Sequence, residues 1–386
     1  MTKTSKRQAG KGERPVLLAI GTRPEAIKMV PLLPALRAEG LSPYLLTTGQ
    51  HGVLLDRTLS ALGVTPDRCL AYRNSKRSLA DRAGRMISAL ARELAAIAPR
   101  ILLVHGDTLS AYAAAVAAFL SGIPVGHIEA GLRTPDLSEP YPEEFCRREI
   151  DLLADVLYAP TAVAGERLLA EGHAEDRVII TGNTGLDALR LTVRGDFSHP
   201  VLRRCGKRRL LLLTLHRRET QGGPLLGILS AVRRAVDAFP DVFLLFPHHP
   251  SAAVALPARE ILGTHPRIAV RPAMEPIAFH NLLARAHLVI TDSGGIQEEA
   301  VALHRPTLVV RRTTERGEGV ATGALRLIGT DPAAVFEGIR LLLTEQEIYE
   351  KMAAAENPFG DGNAAARIAA DLAKRLSAQK KSLDEA

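Results

Sequence analysis

The chain has 386 residues, of which 46% are hydrophobic and 24% are charged, so it is long enough for two domains with packed cores. No apolar run approaches the roughly 20 residues that span a bilayer, and the basic N-terminus lacks the apolar segment of a secretory signal, so we expect a cytoplasmic protein without membrane insertion. The net charge of +7, without tryptophan and without an aromatic stripe among the cations, argues against nucleic-acid binding.

Short apolar strands alternate with helices through the first half of the chain, after a basic tail at residues 1–14 that we predict to be disordered. In chain order the pattern predicts strand 15–21, helix 25–40, strand 43–49, helix 79–97, strand 100–107, helix 110–122, strand 123–130, helix 143–155 and strand 156–161. Apolar strands that alternate with helices indicate a parallel sheet covered on both faces.

The alternation pauses at residues 184–208, a polar and irregular stretch that we interpret as a linker. It resumes with strands predicted at 209–217, 242–249, 267–272, 287–295 and 305–312. We therefore predict two Rossmann-like, doubly wound α/β domains facing a cleft, the first at 15–185 and the second at 186–362. A helix at 363–378 has apolar residues on one face and is expected to pack back on the first domain.

Polar residues at the strand ends of the first domain are the candidates for chemistry, because ligands of such sheets bind at the carboxyl ends of the strands. Arg23 follows the first strand beside a helix N-terminus, which suits an anion but also an ordinary exposed turn. Asp107 either acts chemically or caps the next helix. Glu129 ends an apolar strand, where a carboxylate needs a raised pKa or a partner such as Arg133.

Residues 127–149 gather six carboxylates and three arginines into one stretch. Glu143 and Glu144 lie there at a predicted helix start, where carboxylates complement the helix dipole. A solvated loop would explain these charges, but a site that moves protons near an anion explains them better. Cys146 lies among these groups without an evident role.

Two strand ends of the second domain suit phosphate. HRR (216–218) fits a polyphosphate, or is a surface cluster of cations. TDSGGIQEEA (291–300) runs from a strand through Ser-Gly-Gly directly into a helix, and bare glycine backbone at a helix N-terminus cradles phosphate. Glu299 in that helix either accepts hydrogen bonds from a ribose diol or belongs to a solvated pair of glutamates. RRTTERGEG (311–319) adds another polar strand end.

Several other classes of site are disfavoured by what the sequence lacks. Neither a Walker A motif nor G-x-G-x-x-G occurs, which disfavours an NTPase or an NAD dehydrogenase. The three cysteines have no metal-ligand spacing, so we expect no metal site. Free thiols fit a reducing compartment.

In combination these segments resemble the non-hydrolysing UDP-N-acetylglucosamine 2-epimerases of bacteria, over about residues 15–375. The motifs that carry the resemblance, in the family's order, are GTRPEAIKMVPL, TGQHG, VHGDT, HIEAGLRT, YPEE followed by Arg147, HRRE, DSGGIQEEA and TTER. The resemblance implies the GT-B architecture of two Rossmann-like domains, and a homodimer.

The resemblance also implies a reaction. UDP-GlcNAc and UDP-ManNAc would interconvert at the sugar C2 through elimination of UDP, a 2-acetamidoglucal intermediate and re-addition, without a cofactor. The product would supply ManNAc-type sugars for cell-surface polysaccharide. The alternatives are a related epimerase acting on a diacetamido sugar, a hydrolysing variant that releases UDP, and a non-enzymatic UDP-sugar sensor. The retained catalytic carboxylates argue against the sensor.

The site residues implied by the resemblance fall into three groups. The catalytic group is Asp107, Glu129, Glu143 and His216. The group that binds the UDP-sugar is Arg23, Lys28, Arg133, Arg147, Phe279, Ser293, Gly294, Gly295 and Glu299. A second, allosteric UDP-GlcNAc site would use Gln50, His51, Arg85 and His249.

The chain departs from the family's pattern at several positions. PHHPSA stands where P-x-H-x-N-P is common, Leu215 replaces a glycine expected near phosphate, Cys146 replaces an asparagine, and Gly317 replaces a proline. None of these changes removes a catalytic carboxylate. They leave open whether allosteric activation is retained and which sugar is preferred.

Overall fold

The computed structural model of the chain describes residues 14–70, 78–134, 136–137, 140–215, 220, 222–248 and 251–384, with the side chains of the last helix described to residue 379. Within these residues the chain forms two parallel β-sheets, each packed between layers of helices. The predicted fold class, two doubly wound domains facing a cleft, is confirmed.

The N-terminal sheet is built from short apolar strands. They are β1 (Val16–Ile20), β2 (Pro43–Thr47), β3 (Arg68–Cys69), β4 (Ile101–His105), β5 (Val125–Ile128), β6 (Val156–Ala159) and β7 (Val178–Ile180). Among the described residues their order is β3-β2-β1-β4-β5-β6-β7, and the paired strands are parallel. The chain reverses direction across the sheet between β1 and β4, and such switch points open a ligand crevice at the strands' carboxyl ends.

The C-terminal sheet repeats this plan. Its strands are β8 (Arg209–Thr214), β9 (Val242–His248), β10 (Ile268–Pro272), β11 (Leu288–Thr291), β12 (Thr307–Val309) and β13 (Leu325–Leu327). Their order in the described part of the chain is β10-β9-β8-β11-β12-β13, again with parallel pairs. The switch point lies between β8 and β11, so the Ser-Gly-Gly turn that follows β11 stands at the crevice of this sheet.

Helices connect the strands and cover both faces of each sheet. In the first half of the chain they are α1 (Arg23–Met29), α2 (Leu32–Ala38), α3 (Val53–Ala61), α4 (Leu79–Ile97), α5 (Leu109–Leu120), α6 (Glu143–Leu153), α7 (Ala162–Ala170), α8 (Thr184–Thr192) and α9 (Pro200–Cys205). In the second half they are α10 (Gly223–Ala238), α11 (Ala252–Leu262), α12 (Pro276–Leu283), α13 (Gly294–Ala302), α14 (Gly317–Ala321), α15 (Pro332–Thr344), α16 (Gln346–Ala353) and α17 (Ala364–Asp384).

Alternate residues of each strand enter different cores, which explains why the strands read as continuous apolar runs. In β1, Leu17 and Ala19 pack in the cluster that includes α4 and α5. Leu18 and Ile20 pack on the opposite face, with α1, α2 and α17. Because its residues are buried on both faces, β1 lies inside its domain. The polar residues that follow it lie at the carboxyl end of the strand.

The single helix predicted at 25–40 is wrong, because the structure has two helices there. α1 ends at Met29 and α2 begins at Leu32, with Pro31 immediately before the second helix. Proline lacks a backbone N–H and its ring clashes with the preceding turn, so it favours the start of a new helix.

The stretch interpreted as a linker also contains helices. Asn183 caps α8 by accepting a hydrogen bond from the Gly185 N–H at 2.7 Å. His199 caps α9 through its Nδ1, and Pro200 follows at the first helical position. These elements are too short for a clear hydrophobic period, but their caps were readable in the sequence.

The C-terminal helix α17 packs against the N-terminal domain. Its residues Ile368 and Leu372 are fully buried in the same cluster as Leu18 and the helix α2. In addition, the Asp187 carboxylate accepts hydrogen bonds from the first N–H groups of α17. Among the described helices, none is both long and apolar enough to cross a membrane.

Candidate functional site

A cleft of about 1480 Å³ opens where the carboxyl ends of the two sheets face each other. The predicted site residues that line it are Arg23, Lys28, Asp107, Glu129, Glu143, Arg147, Phe279, Ser293, Gly294, Gly295 and Glu299. Because these residues come from both domains, the two sheets contribute to one shared site.

Arg133 was predicted to bind substrate, and the structure places it elsewhere. Its guanidinium contacts the Asp151 carboxylate at 2.7 Å and the Glu171 carboxylate at 2.6 Å, and it is not among the residues lining the cleft. It is also not the partner of Glu129, which contacts Lys28 instead. Because its guanidinium is paired with these two carboxylates, we assign Arg133 a structural role and not a contact with the substrate.

Two of the residues predicted for a second nucleotide site lie beside the cleft. The Gln50 side-chain oxygen accepts hydrogen bonds from the N–H and hydroxyl of Ser110, at 3.1 and 2.6 Å. His51 accepts a hydrogen bond from the Arg23 N–H through its Nδ1 at 3.3 Å. Gln50 therefore holds the start of α5, and His51 touches the backbone of a residue that lines the cleft.

Arg85, another residue of that predicted second site, lies on α4. Arg85 forms an ion pair with Asp81 at 3.0 Å on α4, and both side chains are exposed. His249, like the predicted catalytic His216, lies outside the described residues. The second nucleotide site stays a prediction.

Lys28 and Glu129 form a buried pair at the floor of the cleft. The Lys28 ammonium, in the last turn of α1, donates a hydrogen bond to the Glu129 carboxylate that follows β5. Burial alone would raise the pKa of Glu129, but the positive charges of Lys28 and Arg316 outweigh it and the pKa is lowered. Glu129 is therefore held ionised.

The backbone of Glu129 is unusual. Its φ of 70° lies in the left-handed region, where side chains other than glycine are strained. The N–H groups of Glu129 and Ala130 both donate to the Tyr158 carbonyl oxygen, at 3.1 and 3.2 Å. These bonds hold the turn, and such strained residues cluster at functional sites.

His105 lies beneath this pair, at the end of β4. Its Nε2 is 3.5 Å from the Glu129 carboxylate. Burial lowers the pKa of His105 to about 3, so the ring is neutral. The positive charge beside Glu129 therefore comes from Lys28 and not from His105.

Asp107 is held by Arg147 across the cleft wall. The Arg147 guanidinium donates to the Asp107 carboxylate and, at 2.7 Å, to the buried Glu144. The alternative role of Asp107 as a helix cap does not hold, because Thr108 caps α5 instead. The Asp107 side chain keeps 27% of its surface exposed, so it remains accessible to a ligand.

Glu143 and Glu144 have different roles despite being adjacent. Glu144 is fully buried and is bound by Arg147, by Arg148 at 2.7 Å and by the Thr134 N–H at 3.0 Å. Glu143, the first residue of α6, lines the cleft. Glu144 therefore anchors the helix, and Glu143 is the member of the pair that can meet a ligand.

Cys146 is a packing residue. It is buried on α6, and burial together with the negative charges of Asp107 and Glu143 raises the pKa of its thiol to about 12. A thiol that stays protonated is a poor nucleophile. The replacement of the family's asparagine by Cys146 therefore adds no reactive group to the site.

The loops that carry Arg23 and Asp107 are tied together by Glu25. This buried carboxylate accepts hydrogen bonds from the Thr22 N–H at 2.6 Å and from the Thr108 hydroxyl at 2.7 Å. The Thr22-x-x-Glu25 spacing is a capping box and was the signal in the sequence that could have identified it.

The Ser-Gly-Gly turn leads into α13 as predicted. Ser293 is the N-cap residue, but its side chain makes no capping hydrogen bond. A Cβ added to Gly294 would stand 3.0 Å from the Arg316 guanidinium carbon, so the bare backbone permits a close approach. The turn and Arg316 together present a cation and a helix N-terminus to the cleft.

Arg316, the last residue of the TTER motif, lines the cleft although the sequence did not predict it as a site residue. Its guanidinium lies 2.7 Å from Glu298 and 3.1 Å from Glu315. Burial opposes its charge, but Glu298 and Glu315 raise its pKa, so the cation is permanent. The strand end at 311–319 therefore contributes an oriented cation beside the Ser-Gly-Gly turn.

Glu299 and His280 lie side by side at the nucleoside end predicted for the cleft. The His280 Nε2 is 3.8 Å from the Glu299 carboxylate. Burial raises the pKa of Glu299 to about 8, whereas burial lowers the pKa of His280 to about 4. At neutral pH the carboxyl group of Glu299 is thus largely protonated and the imidazole is neutral.

Hydrogen bonds join the two domains around the cleft. Arg23 of the first domain donates to the carbonyl oxygen of Met274, and Asn183 donates to the Glu298 carboxylate. The described conformation therefore places cations, carboxylates and the Ser-Gly-Gly turn around one space. Among the described residues, no group of histidine, cysteine and acidic side chains could hold a metal ion.

Comparisons with known proteins agree with this arrangement. A family model described as UDP-N-acetylglucosamine 2-epimerase matches residues 35–373. The UDP-N-acetylglucosamine 2-epimerase of Bacillus subtilis is 43% identical over 358 residues, covering 92% of this chain and 94% of that protein. The Escherichia coli K12 enzyme of the same name is 40% identical over 369 residues, covering 92% and 96%. The crystal structure of the Neisseria meningitidis UDP-GlcNAc 2-epimerase bound to UDP-GlcNAc is 37% identical, with a TM-score of 0.86 and coverage of 93% and 99%.

Proposed function

The chain belongs to the UDP-N-acetylglucosamine 2-epimerase family, and from this premise we propose that it interconverts UDP-GlcNAc and UDP-ManNAc. One observation carries the proposal: Asp107, Glu129 and Glu143 line the same cleft as the Ser-Gly-Gly turn. A sugar nucleotide whose diphosphate lies at that turn would have its sugar near these carboxylates.

The proposed reaction is an elimination followed by an addition. A carboxylate removes the C2 proton, the bond between C1 and the diphosphate oxygen breaks, and UDP leaves with the bonding electron pair. The intermediate is 2-acetamidoglucal. UDP then adds to C1 while a proton returns to the opposite face of C2, so the exchange balances without a redox cofactor.

The charged groups suit these steps. Developing negative charge on the departing diphosphate is stabilised best by cations fixed beforehand. Arg23, Lys28 and Arg316 are such cations, and each is held by named partners. Glu129, kept ionised by Lys28, is in the unprotonated form that a base near C2 requires.

Asp107 and Glu143 complete the proton-handling groups that we propose. Asp107 is oriented by Arg147, and Glu143 begins a helix anchored by Glu144. His216 stays in the proposal on the resemblance of its HRRE motif. We further propose that Glu299 binds the ribose.

Phe279 lines the cleft beside His280 and is proposed to contact the uracil. In the same proposal the active form is a homodimer that supplies ManNAc-type sugars for cell-surface polysaccharide. We also propose that a second UDP-GlcNAc molecule activates the enzyme by binding to the residues of the predicted second site.

The departures from the family's pattern fit this proposal in physical terms. Leu215 is buried in the apolar core of the C-terminal domain. Gly317 begins α14 with open space around it, at a position where proline is also well tolerated.

Incubation of the purified enzyme with UDP-GlcNAc, followed by proton and phosphorus NMR, tests the proposal. We expect UDP-ManNAc to accumulate to an equilibrium mixture. Free ManNAc with stoichiometric UDP would indicate the hydrolysing alternative, and binding without any product would indicate a sensor. Conversion of a diacetamido UDP-sugar but not of UDP-GlcNAc would assign the other epimerase.

A further inference from the structure

A buried histidine outside the cleft connects the elements that carry the proposed carboxylates. His127, on β5, has no solvent exposure. Its Nδ1 lies 2.5 Å from the Asp151 carboxylate, and its Nε2 lies 2.8 Å from the Gly106 carbonyl oxygen. His127 is not among the residues lining the cleft.

Both ring nitrogens of His127 face hydrogen-bond acceptors. The Gly106 carbonyl oxygen can only accept, so Nε2 must carry a proton. The other oxygen of Asp151 accepts from the Gly131 N–H at 3.2 Å and lies 2.7 Å from the Arg133 guanidinium, which is the environment of an ionised carboxylate. An ionised Asp151 requires a proton on Nδ1 as well.

The charges around His127 support the same assignment. Arg133 lies between Asp151 and Glu171, so the network holds one fixed cation and two carboxylates. With a doubly protonated His127 these four groups carry no net charge; of the two carboxylates, Asp151 is fully buried and Glu171 is 39% exposed.

The network joins the backbone segments that carry the three proposed carboxylates. Gly106, the acceptor for His127, immediately precedes Asp107. Glu129 lies two residues after His127 on the same strand end. Asp151 lies on α6, the helix that begins with Glu143. The pair formed by His127 and Asp151 therefore connects the ends of β4 and β5 with α6, behind the cleft.

We propose that His127 is held as an imidazolium and acts as a positioning residue, setting the relative places of Asp107, Glu129 and Glu143. The inference rests on the proposed function only for what the three carboxylates do. The protonation state and the connection of the three segments depend on the hydrogen bonds alone. A displacement of about 1 Å at reacting groups can cost on the order of 100-fold in rate, so such a connection is relevant to turnover.

The titratable groups that face His127 come from each neighbouring element. Asp151 lies on α6, with Arg133 and Glu171 beyond it. His105 on β4 is neutral, since burial lowers its pKa to about 3. The pKa of His173 is lowered by burial, against the opposing charges of Asp151 and Glu171. The only anion in direct contact with the ring, among the described residues, is Asp151.

Histidine-selective ¹⁵N NMR of the full-length enzyme at pH 7 tests the protonation state directly. The His127 resonances are assigned by their absence in His127→Asn. We expect two protonated ring nitrogens in the wild type. In Asp151→Asn, where the amide can donate to Nδ1, we expect one nitrogen to lose its proton. A singly protonated ring in the wild type would overturn the proposal, whether or not the enzyme epimerises UDP-GlcNAc.

Kinetics of the same variants test the positioning role. We expect His127→Asn to lower kcat on the order of 100-fold with KM and UDP affinity nearly unchanged. Asp151→Asn, which keeps a neutral hydrogen bond, should lose less. His287→Asn, a change of a histidine stacked on Tyr349 in the other domain, is the matched control and should keep the wild-type kcat.

Two results would contradict the positioning role. One is a kcat loss in His127→Asn that is fully explained by a smaller folded fraction, measured by circular dichroism. The other is an equal change of kcat in His287→Asn. If the wild type shows no epimerisation, the NMR result still decides the protonation state, so failure of the function and failure of this inference are distinguishable.

Discussion

The Lys28 ammonium donates a hydrogen bond to the Glu129 carboxylate, and the two side chains are only 13% and 14% exposed. Lys28 comes from the helix after β1, and Glu129 from the end of β5. The pair therefore places a charged carboxylate in a site where burial alone would favour its neutral form. Lys28 thus controls the protonation of a proposed catalytic group.

Replacement of Lys28 by methionine should shift the pH dependence of turnover. Without the ammonium, the effect of burial raises the pKa of Glu129, so the carboxylate becomes protonated at a higher pH than in the wild type. We expect the acid limb of the kcat profile to move to higher pH. Lys28→Arg, which keeps the charge, is the control variant. If the acid limb does not move in Lys28→Met, Lys28 does not determine the protonation of Glu129.

Asp107→Asn and Glu129→Gln should each lower turnover by more than ~100-fold, the scale expected when a positioned acid or base is lost. Both substitutions preserve shape, and UDP should still bind because the Ser-Gly-Gly turn lies in the other domain. Steady-state kinetics and calorimetric UDP titration measure the two effects separately. Turnover near the wild-type value in either variant would place the chemistry on other residues.

UDP affinity should depend on pH through Glu299. Its pKa in the free protein is about 8, so the carboxyl group is protonated at pH 7 and ionised at pH 9. The ionised form accepts both ribose hydroxyls, so binding releases a proton and affinity rises with pH, by up to about tenfold per unit below the pKa. Calorimetry from pH 7 to 9 measures this slope.

Glu299→Gln is the control for that slope, because UDP itself titrates in the same way in both proteins. We expect the variant to bind more weakly at pH 9 and to lose the extra pH dependence. Identical slopes in the two proteins would show that Glu299 does not bind the ribose in its ionised form.

Gly294→Ala should weaken UDP binding while leaving the fold intact. The new Cβ would stand 3.0 Å from the Arg316 guanidinium carbon and from a Glu315 carboxylate oxygen, so the cation must move. Gly317→Ala adds a methyl group in open space and serves as the matched control. Equal UDP affinities in the two variants would mean that the position of Arg316 does not matter for binding.

Apolar patterning was sufficient to predict the two sheets, because strands buried on both faces must be apolar throughout. It placed β1 and β4 within one or two residues of their observed bounds. Apolar patterning failed where a proline or a capping residue determines the bounds of a helix. Pro31 divides the helix predicted at 25–40, and the capped helices α8 and α9 replace a predicted linker.

Most residues of the candidate site could be predicted from their positions at strand ends. The ion-pair partners of the charged residues could not be predicted in this way. Glu129 was given Arg133 as its possible partner, and it contacts Lys28, which lies 101 positions away in the sequence. Long-range pairs of this kind depend on how β1 and β5 are placed in the sheet. Arg316 could not be predicted as a site residue for the same reason, because only the fold brings it against Gly294.

In the proposed reaction the C2 proton of the sugar is removed and replaced. The enzyme should therefore be incubated with UDP-GlcNAc in deuterium oxide, and the sugar C2 followed by proton NMR. We predict that deuterium appears at C2 of both UDP-ManNAc and the recovered UDP-GlcNAc. Formation of UDP-ManNAc that retains the original C2 proton would rule out the proposed elimination.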